Sequence, residues 1–521
     1  MDSSRTAASS SNMKIFICCW ISLVTSSFGF IVRAFSIGDW GKEFGLSATQ
    51  QGEIFGVGLW PFAISIVLFS LIIDKVGYKA SLYFAFVCQF VSTIMTLKAN
   101  SFASLYWATF IFALGCGTVE AVINPVVATM FNKDKAKWLN ILHAGWPGGL
   151  ALAGILALPI ANWHTKVLLI FIPTIIYGIL LFPLKFPVNE RVAAGVSYRD
   201  MLKEMGGVGM FIVLGLIFSQ IFALSAVSSA FNISNPLIPG LVCAAIASIA
   251  FGIAVKDTGR PIFILLLVIM VPLATTELGV DSWVTELMGP VMGKYAGWIL
   301  VYTSVIMTVL RFFAGPLVHK LSPLGLLAVC AVLAAAGLFW LSTAAGIGIL
   351  IAATLYGVAK TFFWPTMLAI VSERFPKGGA LTLNAQGGVG MLGVGVIGAV
   401  LLGSIQDRTV GAKIAEHDKA AGTSLHATYV TAEKTGIFGK YIALDQGKAA
   451  SAPEADKAAI AEVTSKAKLS ALAKVIVFPI FMFVCYLGLI LYFRSQGGYR
   501  PVHLDEETQP SGNKSPAYQK A

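Results

Sequence analysis

Long apolar runs recur along nearly the whole chain, separated by short polar or Pro/Gly-containing breaks. A helical run of about twenty such residues crosses ~30 Å of hydrocarbon. The breaks place spans near 14–36, 51–73, 80–98, 102–131, 140–161, 166–185, 208–226, 236–255, 261–285, 294–318, 324–342, 346–371, 381–404 and 470–493. The runs are continuous and do not alternate residue by residue, which excludes a transmembrane barrel. An all-α, polytopic membrane protein of fourteen spans is predicted.

Composition agrees. Of 521 residues 57% are hydrophobic and 12% charged, about half the charge of a soluble domain. The formal charge of +11 does not point to nucleic acid. Fourteen Lys and Arg, among them Lys75, Lys133, Arg191 and Lys377, fall in the short loops of one side, against Lys42, Lys98, Lys166 and Lys294 on the other. This bias predicts both termini in the cytoplasm and insertion in the plasma (inner) membrane. The seven Cys lie in apolar segments without metal or disulfide spacing and read as small hydrophobes. Residues 1–13 form a tail before an uncleaved first span, since no A-x-A cleavage site follows.

The spans are duplicated. "LFSLIIDKVGYKASL" (68–82) matches "FAGPLVHKLSPLGLL" (313–327), "GTVEAVINP" (117–125) matches "GVAKTFFWP" (357–365), and "LNILHAGWPGG" (139–149) matches "LNAQGGVGMLG" (383–393). The offsets stay between 240 and 245 residues. A six-span bundle over 14–185 and a second beginning at 261 follow, pseudo-symmetric, with two additional spans (208–255) after a linker at 186–207. The second bundle holds five spans over 261–404, an Ala/Lys-rich extracytoplasmic loop at 405–468 expected to form a helical cap, and a last span at 470–493. The polar tail 494–521 reads as disordered. Paired six-span halves are how secondary transporters are built, with the site at the midplane between them.

Particular residues carry a resemblance. The loop around Asp74, Lys75, Gly77 and Lys79 resembles the signature after the second span of the major facilitator superfamily. "GCGTVEAVINPVVATMF…WLNILHAGWPGG" resembles the fourth and fifth spans of its fucose permease-like branch, which carries sugars with protons. That branch has a buried Glu followed by Asn-Pro, then Leu-Asn and a Gly-rich span. The resemblance implies the superfamily fold and proton-coupled alternating access. This chain departs from the branch in carrying Arg33 where a proton-binding acid is usual, and in its two additional spans.

The intramembrane polar residues are the candidate site. Glu120 lies near mid-bilayer, where a lipid-facing charge costs ~2.5–3.5 kcal/mol, so it must face a cavity or partner. It is the candidate proton carrier; a structural ion pair between the halves is the plainer reading. Lys360 occupies the repeat-equivalent position and could pair with Glu120, or snorkel. Arg33 and Glu277 are related by the same offset, as a gate pair or as substrate contacts. Asp281 reads as solvated. Pro125 must free a backbone carbonyl. Asn124, one turn from Glu120 on the same face, is a candidate to bind a hydroxyl. Asn140, His143 and Trp146 share roughly one face of the fifth span, with Asn384 and Gln386 their counterparts. Amides and aromatic faces suit a sugar, and Trp364 and Trp283 could stack on it. For His143 and the tryptophans, packing is the alternative. The glycines of the fifth and eleventh spans allow close helix approach. Asp74, Lys75 and Lys79 are expected to latch the halves.

A monomeric secondary carrier of a small polar solute, a sugar-like one moved with protons, is the reading these residues support. An organic acid, nucleoside or peptide fragment is the rival, and Arg33 and Lys360 would suit an anion. A non-transporting receptor on the same fold is the rival of another class. Hydrolase, metalloprotease and redox motifs are missing, no cofactor is implied, and without a Walker A motif an ATP-driven pump is disfavoured.

Overall fold

The computed structural model describes residues 2–280, 298–344, 346–436 and 439–504. Among these, thirteen helices are long and apolar enough to cross a membrane, and a fourteenth consists of two pieces bent by 62°. The first half contains α1 (Asp2–Glu43), α2 (Trp60–Val76), α3 (Tyr78–Leu97), α4 (Phe102–Met130), a broken fifth span of α5 (Lys135–His143) and α6 (Gly145–Ala157), and α7 (Phe171–Leu181). The additional spans are α8 (Tyr198–Ala223) and α9 (Leu237–Val255).

The second half opens with α10 (Pro261–Ala274), which continues into a π turn at Thr275–Gly279. It goes on through α11 (Trp298–Phe312), bent into α12 (Ala314–Leu321), and α13 (Pro323–Thr343). A broken span of α14 (Ile347–Lys360) and α15 (Phe363–Arg374) precedes α16 (Gly379–Gly393). Last come α17 (Ala399–Ala421), α18 (Glu454–Val475) and α19 (Val477–Ser495). The outer parts of the spans expected at 261–285 and 294–318, with Asp281, Trp283 and Lys294, lie outside the described residues.

Burial sorts the helices by position. Every residue of α4 from Gly115 to Ala128 and every residue of α15 is buried, so these helices are central. By contrast α9 exposes Ile246, Ile249 and Ile253, as an apolar helix facing lipid can without cost. Close approach at the centre needs glycine. A β-carbon on Gly117 would lie 2.1 Å from the Phe62 carbonyl oxygen, and one on Gly388 of α16 would lie 2.7 Å from Val67 of α2, in the other half.

The face bearing the loops 74–79, 131–135 and 186–197, the basic face, is closed. Lys135 Nζ donates to Glu190 (2.7 Å) and to the Ser372 carbonyl of the other half (3.2 Å). Asn140 Nδ2 reaches Thr366 Oγ1 at 3.2 Å, again across the halves. The loop signature takes no part in this latch. Asp74 pairs with Arg191 of the linker, Lys79 Nζ donates to the Phe182 carbonyl (2.8 Å), and Lys75 lies 5.8 Å from the Tyr198 ring. Gly77, at φ 86°, makes the tight turn between α2 and α3.

Two expectations for the C-terminal region change. Residues 405–468 extend two helices and add an antiparallel strand pair, β1 (Ala432–Gly436) and β2 (Gly439–Ala443), over a core that includes Val410, Ile414, Tyr429 and Ile460. The tail is ordered at its start. Tyr499 donates to Glu373 Oε2 (2.6 Å), Val502 N to the Glu373 carbonyl (2.8 Å), and Leu504 is buried, so the tail docks on the end of α15. Polarity there reflects a seat of hydrogen bonds, not freedom.

Because its missing side chain is filled by backbone, Gly117→Ala is expected to destabilise the bundle by about 1–3 kcal/mol. The unfolding midpoint in detergent should fall; an unchanged midpoint would contradict this packing.

Candidate functional site

Two prolines at repeat-related positions shape the centre. Pro125 cannot donate to the carbonyl one turn back, that of Ala121. Asn384 Nδ2 of α16, from the other half, donates to it at 3.0 Å. Pro365 likewise strands the Thr361 carbonyl, at the break between α14 and α15, and Arg311 Nε of α11 donates to that oxygen at 2.7 Å. Each helix interruption is thus repaired by a side chain from another helix.

Arg311 uses its whole guanidinium. Nη2 pairs with Glu277 Oε1 at 2.9 Å, and Nη1 donates to the His143 carbonyl of the opposite half at 2.7 Å. The second Glu277 oxygen accepts the Trp364 backbone N–H (3.0 Å) in the first turn of α15, where a helix has unsatisfied donors. Arg311 and Glu277 are both buried. Removing two ions from water costs several kcal/mol each, so such a pair persists only when its remaining donors and acceptors are met, as here.

Glu120 is held differently. Its Oε2 accepts from Asn124 Nδ2 at 2.8 Å, and Asn124 Oδ1 lies 2.9 Å from His143 Nε2. An amide oxygen only accepts, so His143 is the donor at Nε2. His143 therefore touches both acids' surroundings: its ring reaches the Glu120–Asn124 pair and its carbonyl caps Arg311. Among the described residues no ion pair reaches Glu120, although it and Arg311 interact electrostatically.

Beyond this network, away from the basic face, lies a cavity of about 40 Å³ lined by Arg33, Phe30, Phe55, Phe62, Phe112 and Trp146. That is room for roughly three waters, too little for a sugar-sized solute. Trp146 lies against Phe30 and Phe62, at 5.9 and 6.4 Å between ring centroids.

A family model described as Major Facilitator Superfamily matches residues 18–398. The chain belongs to that superfamily. It is a multi-pass membrane protein of that fold, as the loop at Asp74–Lys79 and the stretch 115–149 had implied. It is 30% identical to a hexuronate transporter of Bacillus subtilis (strain 168) over 34% of this chain and 42% of that one. It is 24% identical to a gentisate transporter of Corynebacterium glutamicum over 36% and 44% respectively. The chain thus spans less than half the length of these curated relatives. Its fold resembles the E. coli fucose:proton symporter FucP (N162A), with TM-score 0.53 and 14% identity over 91% of this chain and 99% of that one.

Within this superfamily member the expected pairings are rearranged. Glu277 pairs with Arg311, not with Arg33, and Arg33 instead hydrogen-bonds Ser92 and Thr96. Glu120 does not pair with Lys360, which is buried with its Nζ 5.9 Å from the Tyr356 ring. The repeat relates positions across a pseudo-axis; it does not bring related residues into contact. Asn124 is engaged by Glu120 and His143, and so is not idle for a hydroxyl. Trp146 belongs to a separate helix piece from Asn140 and His143, because the span breaks at Ala144. Gln386 Nε2 donates to the Leu266 carbonyl (2.9 Å), while the side-chain oxygens of Asn140, Asn384 and Gln386 are buried and have no hydrogen-bond partner among the described residues. The Trp364 ring packs over Gly390. Arg311 escaped the sequence reading. Its signal was a lone cation inside "VIMTVLRFFAG", which had to have an acid within reach.

Removing one partner of a buried pair costs about 3–5 kcal/mol. Arg311→Met, which also strands two carbonyls, should lower the detergent unfolding midpoint more than Glu277→Gln. The double variant should recover part of the loss. Equal, additive losses would show that the pair is not the unit described.

Proposed function

We propose that this transporter moves a sugar-sized polar solute by proton-coupled alternating access, importing it past the cavity beside Arg33 toward a cytoplasmic basic face. The observation that carries this reading is the contrast between the two buried acids. Glu277 is fixed by Arg311 and a backbone N–H. Among the described residues Glu120 is held by an amide and no ion pair, so it can gain and lose a proton without breaking one. Through Asn124 and His143 that event reaches the carbonyl Arg311 grips, and hence the seam between the halves. The aromatic wall offers a face to a ring, and the relatives named above are carriers by name. The work is carriage, not bond chemistry.

The test is uptake into proteoliposomes under an imposed pH gradient. Glu120→Gln should abolish gradient-driven accumulation while leaving counterflow exchange within about threefold of wild type, since an amide keeps the hydrogen bond but not the titration. Accumulation equal to wild type would reject Glu120 as the proton site. Ligand binding without uptake by wild type would favour the receptor reading.

A further inference from the structure

Arg33 is a buried cation whose compensation differs from that of Arg311. It is 7% exposed and lies on α1 with its Cζ 3.9 Å above the Phe112 ring. Nη2 donates to Ser92 Oγ (2.8 Å) and Thr96 Oγ1 (3.3 Å), both neutral. Its Nε and Nη1 are buried, and among the described residues nothing accepts from them. Among the described residues none of the ion pairs includes Arg33. Arg311, on α11 of the other half, shows what full compensation requires: a carboxylate and two carbonyls. A guanidinium buried with idle donors and no counter-charge is costly unless something supplies the missing acceptor.

Position says where that acceptor comes from. Arg33 lines the cavity, whose other walls include Phe30, Phe55, Phe62 and Trp146. A positive end with idle N–H donors beside flat apolar walls fits an anion built on a ring. The geometry points to Arg33 as the binding residue for a carboxylate of the transported solute, making the substrate a small ring-bearing monocarboxylate such as a sugar acid or a hydroxybenzoate. The carboxylate completes the guanidinium's hydrogen bonding and the ring lies against the aromatic side chains. This rests on the reading of the cavity as the solute route. It also accounts for a cation where the fucose permease-like pattern has an acid: charge here recognises the solute, and the proton is left to Glu120.

The experiment uses purified full-length protein in proteoliposomes with labelled D-glucuronate, gentisate and D-glucose. Saturable uptake of at least one carboxylate is expected, competed by the other carboxylate and not by excess D-glucose. Arg33→Gln should raise KM for the carboxylate roughly 10- to 100-fold, the loss of a charge-assisted hydrogen bond, with kcat changed far less. Arg33→Lys, which keeps the charge but not the geometry, should fall between. Thermal stabilisation of wild type by D-glucuronate or gentisate, and not by D-glucose, gives a readout that does not need the variant to fold. Uptake of D-glucose with both carboxylates inert, or a carboxylate KM unmoved in folded Arg33→Gln, overturns the carboxylate assignment and leaves the carrier reading standing. Uptake of none of the three by wild type overturns both.

Discussion

The structure depends on how one guanidinium is satisfied inside the membrane. Arg311 has no water to fall back on, so each of its nitrogens must find a fixed partner. It takes a carboxylate from the π turn after α10, a carbonyl left idle by Pro365, and a carbonyl from His143 across the seam. Three structural irregularities thereby become one arrangement. The π turn presents Glu277, the break before α15 presents Thr361 O and Trp364 N–H, and the break after α5 presents His143 O. Uniform helices would offer neither carbonyl nor the free N–H, because their backbone donors and acceptors are used internally.

The two halves are joined by few polar contacts, and these serve carbonyls or buried side chains that would otherwise be unmet. Asn384 on Ala121, Asn140 on Thr366 and Lys135 on Ser372 run from the middle of the bundle to the basic face. The cavity beside Arg33 lies within the first half, where Met391 of the second half closes one wall. A net hydrogen bond contributes about 1 kcal/mol, so a handful holds one state without freezing it. Glycine at positions such as Gly388 lets the helices meet closely enough for these short side chains to reach.

Much of this was legible in the chain. The spans, the duplication and the superfamily follow from apolar run length and from Asn, Pro and basic loops falling in step at one offset. The i, i+4 relation of Glu120 and Asn124 predicted a shared face, and they bond there. Pro125 predicted a stranded carbonyl, and Asn384 fills it. Partner choice was not legible. Symmetry pointed from Arg33 to Glu277 and from Glu120 to Lys360, yet contact depends on helix crossing and rotation, which a linear offset does not encode. Arg311 has Ile66 at its repeat position, so duplication gave it no mark. The docked tail was missed because composition reports solubility, whereas Tyr499 and Val502 act through particular hydrogen bonds.

The central claim is that Arg311 ties the halves together inside the membrane, keeping the basic face closed, and that opening this face requires releasing the tie. Spin labels at Lys133, in a loop, and Lys320, in the last turn of α12, both exposed and flanking the Asp134–His319 contact of 3.4 Å, report the separation directly. The account predicts a short, narrow distance distribution for the otherwise unsubstituted protein and a shift to longer distances in Arg311→Met. The same distribution in both proteins, with the variant folded, would contradict it.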